Sequence, residues 1–145
     1  MTPDNTIPEI DTAQDPIGST EDLRQRWRAL MGPLGFSEAL LWFAFIDPDH
    51  RLIPQLNQLP LPDEPDPMLT SMLMTRLGEA IDDIPGVTVA CLITRPGSDG
   101  LTEADCAWAR VLTDLAARHG VPMHPVHRAN DLELVTLTMA IDKAA

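Results

Sequence analysis

The 145-residue sequence predicts a single α/β domain, a mixed β-sheet packed by about three helices in the order α-β-β-α-β-α-β-β. Two patterns carry that prediction. Residues 39–46 and 87–94 are apolar at nearly every position, as strands buried on both faces are. Three longer stretches, near 20–31, 67–84 and 102–119, place apolar residues at helical spacing and alternate with the strand runs, as a layered α/β domain requires. Length agrees: a chain of this size buries roughly 68–70% of its unfolded surface, enough for one core without a metal or disulfide staple.

The elements follow in chain order. Residues 1–18 hold Asp4, Glu9, Asp11 and Asp15 with no base, and Pro3, Pro8 and Pro16 interrupt them. An acidic flexible tail is therefore expected at 1–18, ahead of a domain spanning 19–145. Leu23, Trp27, Leu30 and Met31 form the stripe of the first helix, with Ser19 or Thr20 as N-cap and Gly32-Pro33 as the stop. The strand 39–46 leads into the turn Asp47-Pro48-Asp49-His50, and 51–56 is expected to return as a hairpin partner. Pro54 has no N–H to give a ladder, so that partner belongs at an edge or carries an irregularity.

Residues 57–67, with Pro60, Pro62, Pro65 and Pro67, read as the longest internal loop. Asp66 caps the second helix with Pro67 at its first position, and Leu69, Leu73, Leu77, Ala80, Ile81 and Ile84 are expected to face the core. Met68, Met72 and Met74 flank that stripe as core filler or, in the sharper reading, as an adaptable binding surface. Pro85-Gly86 ends the helix before the second buried strand. The loop 95–100 opens a third helix whose stripe is Ala104, Trp108, Val111, Leu112 and Leu115, closed by Gly120. Short strands near 122–127 and 132–138 finish the domain.

Charge narrows the function classes. Acids outnumber bases by 22 to 10, giving −12 and a pI near 4.4. A phosphate-tracking nucleic-acid binder needs clustered Lys and Arg, so no nucleic-acid partner is expected. No apolar run approaches the roughly 20 residues of a membrane span. The first residues show neither a basic n-region nor an apolar h-region, which makes the cytoplasm the expected compartment. Cys91 and Cys106 form neither a metal spacing nor a disulfide framework.

The most site-like place is the loop 95–100, which leaves a buried strand and opens a helix, where open α/β sheets bind ligands. Gly97 and Gly100 match no phosphate-binding fingerprint. Thr102 and Asp105 have a plain reading as a variant capping box.

From 38 to 137 the chain resembles a JAMM/MPN-type domain of the RadC-like bacterial branch. The residues that carry the resemblance are Glu38 before an apolar strand ending at Asp47, a hairpin return, a helix, a second apolar strand, and the run Ile93-Thr94-Arg95-Pro96-Gly97-Ser98-Asp99-Gly100-Leu101-Thr102-Glu103-Ala104-Asp105. It implies a JAMM/cytidine-deaminase-like layered architecture. In that family two histidines and an aspartate hold zinc, a serine helps stabilise the oxyanion, and an upstream glutamate is general acid/base. Ile93 and Arg95 stand at the histidine positions, Thr102 at the serine, Asp105 at the aspartate and Glu38 near the glutamate, in a loop one residue shorter than the family pattern. Ile93 cannot ligate and Arg95 is permanently cationic, so a zinc site of three protein ligands is not expected. His124 and His127 are three apart, on opposite faces of a strand, and His127 is the one carried forward as a neighbour of the loop.

The expectation is a catalytically inactive RadC/JAMM-like domain acting as a protein-binding or scaffolding module, with no metal and no cofactor. Its partner is expected to be a protein, a basic one being what an acidic surface attracts. The alternatives are a small acidic chaperone or immunity-type protein and an atypical metallohydrolase. Arg95 is expected to pair with Asp105 or Glu38 where the family holds zinc, because a buried carboxylate needs a cation.

Overall fold

The computed structural model describes residues 9–137 and shows a five-stranded mixed sheet with helices on both faces. The helices are α1 (Thr20–Met31), α2 (Pro67–Ile81) and α3 (Glu103–Arg118). The strands are β1 (Leu40–Ile46), β2 (Asn57–Pro60), β3 (Thr88–Thr94), β4 (His127–Ala129) and β5 (Leu134–Thr136), in the sheet order β2-β1-β3-β4-β5.

β1 and β3 pair antiparallel along their whole length, from Leu40 opposite Thr94 to Ile46 opposite Thr88. Alternation along β3 divides the core in two. Val89, Cys91 and Ile93 face α2 and α3, where they meet Met74, Leu77, Trp108 and Leu112. Ala90 and Leu92 face α1, where Leu23 and Trp27 are fully buried. β4 adds parallel to β3, with Leu92 opposite His127 and Ile93 opposite Arg128, and β5 closes that side antiparallel.

Several elements lie elsewhere than the sequence suggests. The hairpin return expected at 51–56 makes only an isolated bridge, Leu52 to Ile46, and the paired strand is β2, inside the stretch expected to be loop. Pro54 lacks the N–H that a ladder there would need, so continuous pairing resumes beyond it. The strand expected at 122–127 contributes an isolated Met123–Val89 bridge, and β4 begins after Pro125 for the same reason. α2 buries Thr70, Met74 and Leu77, leaving Leu69 exposed with Met68 and Met72. On α3 the buried face carries Asp105 in place of Ala104.

Of the tail expected at 1–18, residues 1–8 lie outside the described residues. Residues 9–18 pack: Ile10–Gln14 forms a 3-10 turn, Ala13 and Ile17 are buried, and Arg26 donates to the carbonyls of Asp15 and Pro16. Two apolar side chains and backbone acceptors for a helix arginine are what tie this acidic stretch down.

Candidate functional site

The site is built at the end of the sheet where β3 gives way to loop 95–100. The alternation that turns Ile93 toward α3 repeats at Arg95, whose backbone N–H continues the parallel pairing by donating to the Ala129 carbonyl at 3.1 Å. α3 starts beneath it. Thr102 is the N-cap and accepts the Asp105 N–H through Oγ1, while Asp105 Oδ2 accepts the Thr102 N–H, each at 3.1 Å. That reciprocal box fixes Asp105 in the first turn with its carboxylate 2% exposed.

Two guanidinium groups converge on that carboxylate. Arg95 grips it in parallel, Nε to Oδ1 and Nη2 to Oδ2, both at 2.8 Å. Arg128, wholly buried on β4, donates Nε to Oδ2 at 3.2 Å and Nη2 to Glu133 Oε2 at 3.3 Å. The fork matches the carboxylate plane, which is why Arg rather than Lys suits this position. Arg95 Nη2 also donates to the Gly100 carbonyl at 2.8 Å and the Asp99 carbonyl at 3.3 Å, so one side chain ties loop, strand and helix together.

The loop is held from the other side by Asn130 and Asp131. Buried Asn130 donates Nδ2 to the Asp99 carbonyl at 2.6 Å, and its Oδ1 accepts the N–H groups of Leu132 and Glu133. Asp131 Oδ2 accepts the Gly97 N–H at 2.9 Å, and its own N–H donates to the Gly97 carbonyl at 2.9 Å. Gly97 sits at φ +101°, a backbone conformation that side-chain-bearing residues rarely adopt.

Electrostatics follow from this crowding. Burial pushes the Asp105 carboxyl up, but the Arg95 hydrogen bonds, the Thr102 N–H and the charges of Arg95 and Arg128 more than offset it, so it stays below the ordinary aspartate value. The same hydrogen bonds raise Arg95.

The structure brings Arg95, Thr102 and Asp105 together and leaves the other candidates apart. Ile93 is fully buried in the core between β3 and α3. Glu38 is exposed just ahead of β1, and no hydrogen bond among the described residues joins it to Arg95 or Asp105. His127 is turned away from the cluster. Its strand neighbour Arg128 faces α3, so His127 faces α1, beside Glu21 and Arg24, where burial holds its imidazole down to about 4. Arg128 is the site residue that sequence reasoning misses. Its signal is a lone charge between Val126 and Ala129, both apolar and buried.

The residues present do not fit zinc. Asp105 accepts four N–H donors, two of its neighbours are permanent cations, and the remaining family position is apolar. Among the described residues no three His, Cys, Asp or Glu side chains converge as a metal needs. Burial pushes the Cys91 thiol up to about 12, and the Ser71–His119 contact of 2.9 Å lies on the exposed surface, with no carboxylate hydrogen-bonded to the ring among the described residues. Compared with protein-family models, curated proteins and solved structures, the chain matches none of them.

Proposed function

We propose that this chain is a non-catalytic protein-binding or scaffolding module, working in the cytoplasm, with a fold resembling the RadC/JAMM-like domains. The observation that supports this reading is the saturation of Asp105. Both carboxylate oxygens are engaged by Arg95, Arg128 and the Thr102 N–H, so the position that the resemblance assigns to a metal ligand holds an internal ion cluster. A divalent cation there would have to displace two guanidinium groups, one of them wholly buried. The cluster instead fixes the loop 95–100 and the start of α3, a structural task. Both cysteines are free, as fits a reducing compartment.

Zinc titration followed by calorimetry tests the reading. The purified chain is expected to bind no equivalent of zinc that depends on Asp105, and chelators are expected to leave its melting temperature unchanged. One equivalent bound by the native sequence and lost in Asp105→Asn overturns it.

A further inference from the structure

β2 forms one edge of the sheet, and α2 runs beside it on the same face. Between them lies an open groove of about 480 Å³. Leu41 and Trp108 form its floor, Leu59 of β2 one wall, and Leu69, Met72 and Leu73 of α2 the other. Leu69 and Met72 are 57% and 55% exposed, and Met68 beside them is 73% exposed. α2 thus turns part of its apolar surface outward, and contiguous exposed apolar surface marks interaction sites. Unbranched methionine side chains let such a wall adapt to its occupant.

Apart from Arg76, the polar side chains lining the groove are already engaged. Trp108 Nε1 donates to the Pro62 carbonyl at 2.9 Å, and Thr70 Oγ1 donates to the Asp66 carbonyl at 2.8 Å. The Asp66 carboxylate accepts the N–H groups of Met68 and Leu69 as the α2 cap. A small polar ligand would find few convergent groups to orient it, unlike the usual small-molecule pocket.

Charge selects the occupant. The groove's own charged lining is the capping Asp66 and Arg76, and exposed acids flank it: Asp63 and Glu64 in the segment entering α2, and Glu79, Asp82 and Asp83 at the far end of that helix. The whole chain carries −12. A second copy would set acidic flank against acidic flank, which complementarity disfavours, whereas the acids around the groove would steer a cationic chain in. We infer that this groove docks a basic segment of a partner protein through apolar side chains seated between β2 and α2. The inference rests on the binding-module reading and deepens it.

In-cell photocrosslinking with benzoylphenylalanine at position 72, in the groove, and at the exposed position 114, on α3, tests both. The segment crosslinked at 72 is sequenced, synthesised and titrated against the full chain. The expected segment is basic with at least two large apolar residues. Leu69→Ser with Met72→Ser should weaken its binding at least tenfold, and both side chains are exposed enough for the fold to tolerate the change. Asp63→Asn with Glu64→Gln should slow association severalfold and flatten its salt dependence. Crosslinks at 114 alone leave the module reading standing and overturn the groove. No protein crosslinked at either position overturns both. A neutral or acidic segment, a second copy of this chain, or binding indifferent to the groove substitutions overturns the groove inference alone.

Discussion

Removing Asp105 should cost far more than removing a surface carboxylate, and the cost should be coupled to Arg95. Asp105→Ala strands two guanidinium groups. Arg95 retains the Asp99 and Gly100 carbonyls, but Arg128 is wholly buried and, among the described residues, keeps only the 3.3 Å contact to Glu133. Leaving a buried charge uncompensated costs about 3–5 kcal/mol, and loss of the capping box adds about 1 kcal/mol. Arg95→Ala is milder, because Asp105 keeps Arg128 and the Thr102 N–H. The loss of one bidentate charge-assisted grip predicts about 2–3 kcal/mol. In the double variant the Arg95 term largely vanishes, so the cycle should give a coupling energy above about 1 kcal/mol, beyond what exposed pairs reach. Urea denaturation followed by tryptophan fluorescence reads all four proteins, provided the slope m is constant across them. Thr102→Ala isolates the cap. Additivity within about 0.5 kcal/mol, the behaviour of independent sites, would refute the cluster as a structural unit.

Three further outcomes are expected. The unfolded chain takes up a proton at His127 near pH 6.5, while burial keeps the folded one neutral down to about 4. Stability therefore falls on acidification across that window by roughly 3 kcal/mol, and His127→Leu should flatten a plot of unfolding free energy against pH between 6.5 and 4. Trp27→Ala, at the fully buried anchor of α1, should cost about 3–5 kcal/mol by the same denaturation assay. Deleting residues 1–18 should lower stability by about 2 kcal/mol, since it exposes the site of buried Ile17; an unchanged urea midpoint would show that the packing of 9–18 contributes nothing.

The three helices and the buried β1–β3 pair were legible because their patterns are strong. α1 and α3 announce their starts through Ser19 and Thr102, and both central strands are apolar on two faces. The two misplaced strands have a common cause in proline. Pro54 and Pro125 remove donors from stretches that otherwise look like strands, and pairing resumes beyond each. The face of α2 was not readable, because Met68, Leu69, Met72, Leu73 and Met74 are apolar almost around the helix. Which of them turns inward depends on where α2 meets its neighbours. At the candidate site, Arg95 and Asp105 are ten residues apart in a recognisable strand-loop-helix, so their meeting was arguable from sequence. Arg128 was not, because a strand read at 122–127 stops short of it and hides the parity that sends Arg128 toward α3 and His127 toward α1.

The central claim is that Asp105 stays ionised, held between two guanidinium groups in a closed structural cluster. Carbon-13 NMR of the aspartate carboxyls across an acid titration reads that directly. The Asp105 signal is expected to titrate below the ordinary aspartate value in the native chain and to move upward in Arg95→Ala, because burial then faces fewer opposing hydrogen bonds. A carboxyl that titrates at or above the ordinary value in the native chain, and is unmoved by Arg95→Ala, would contradict the account.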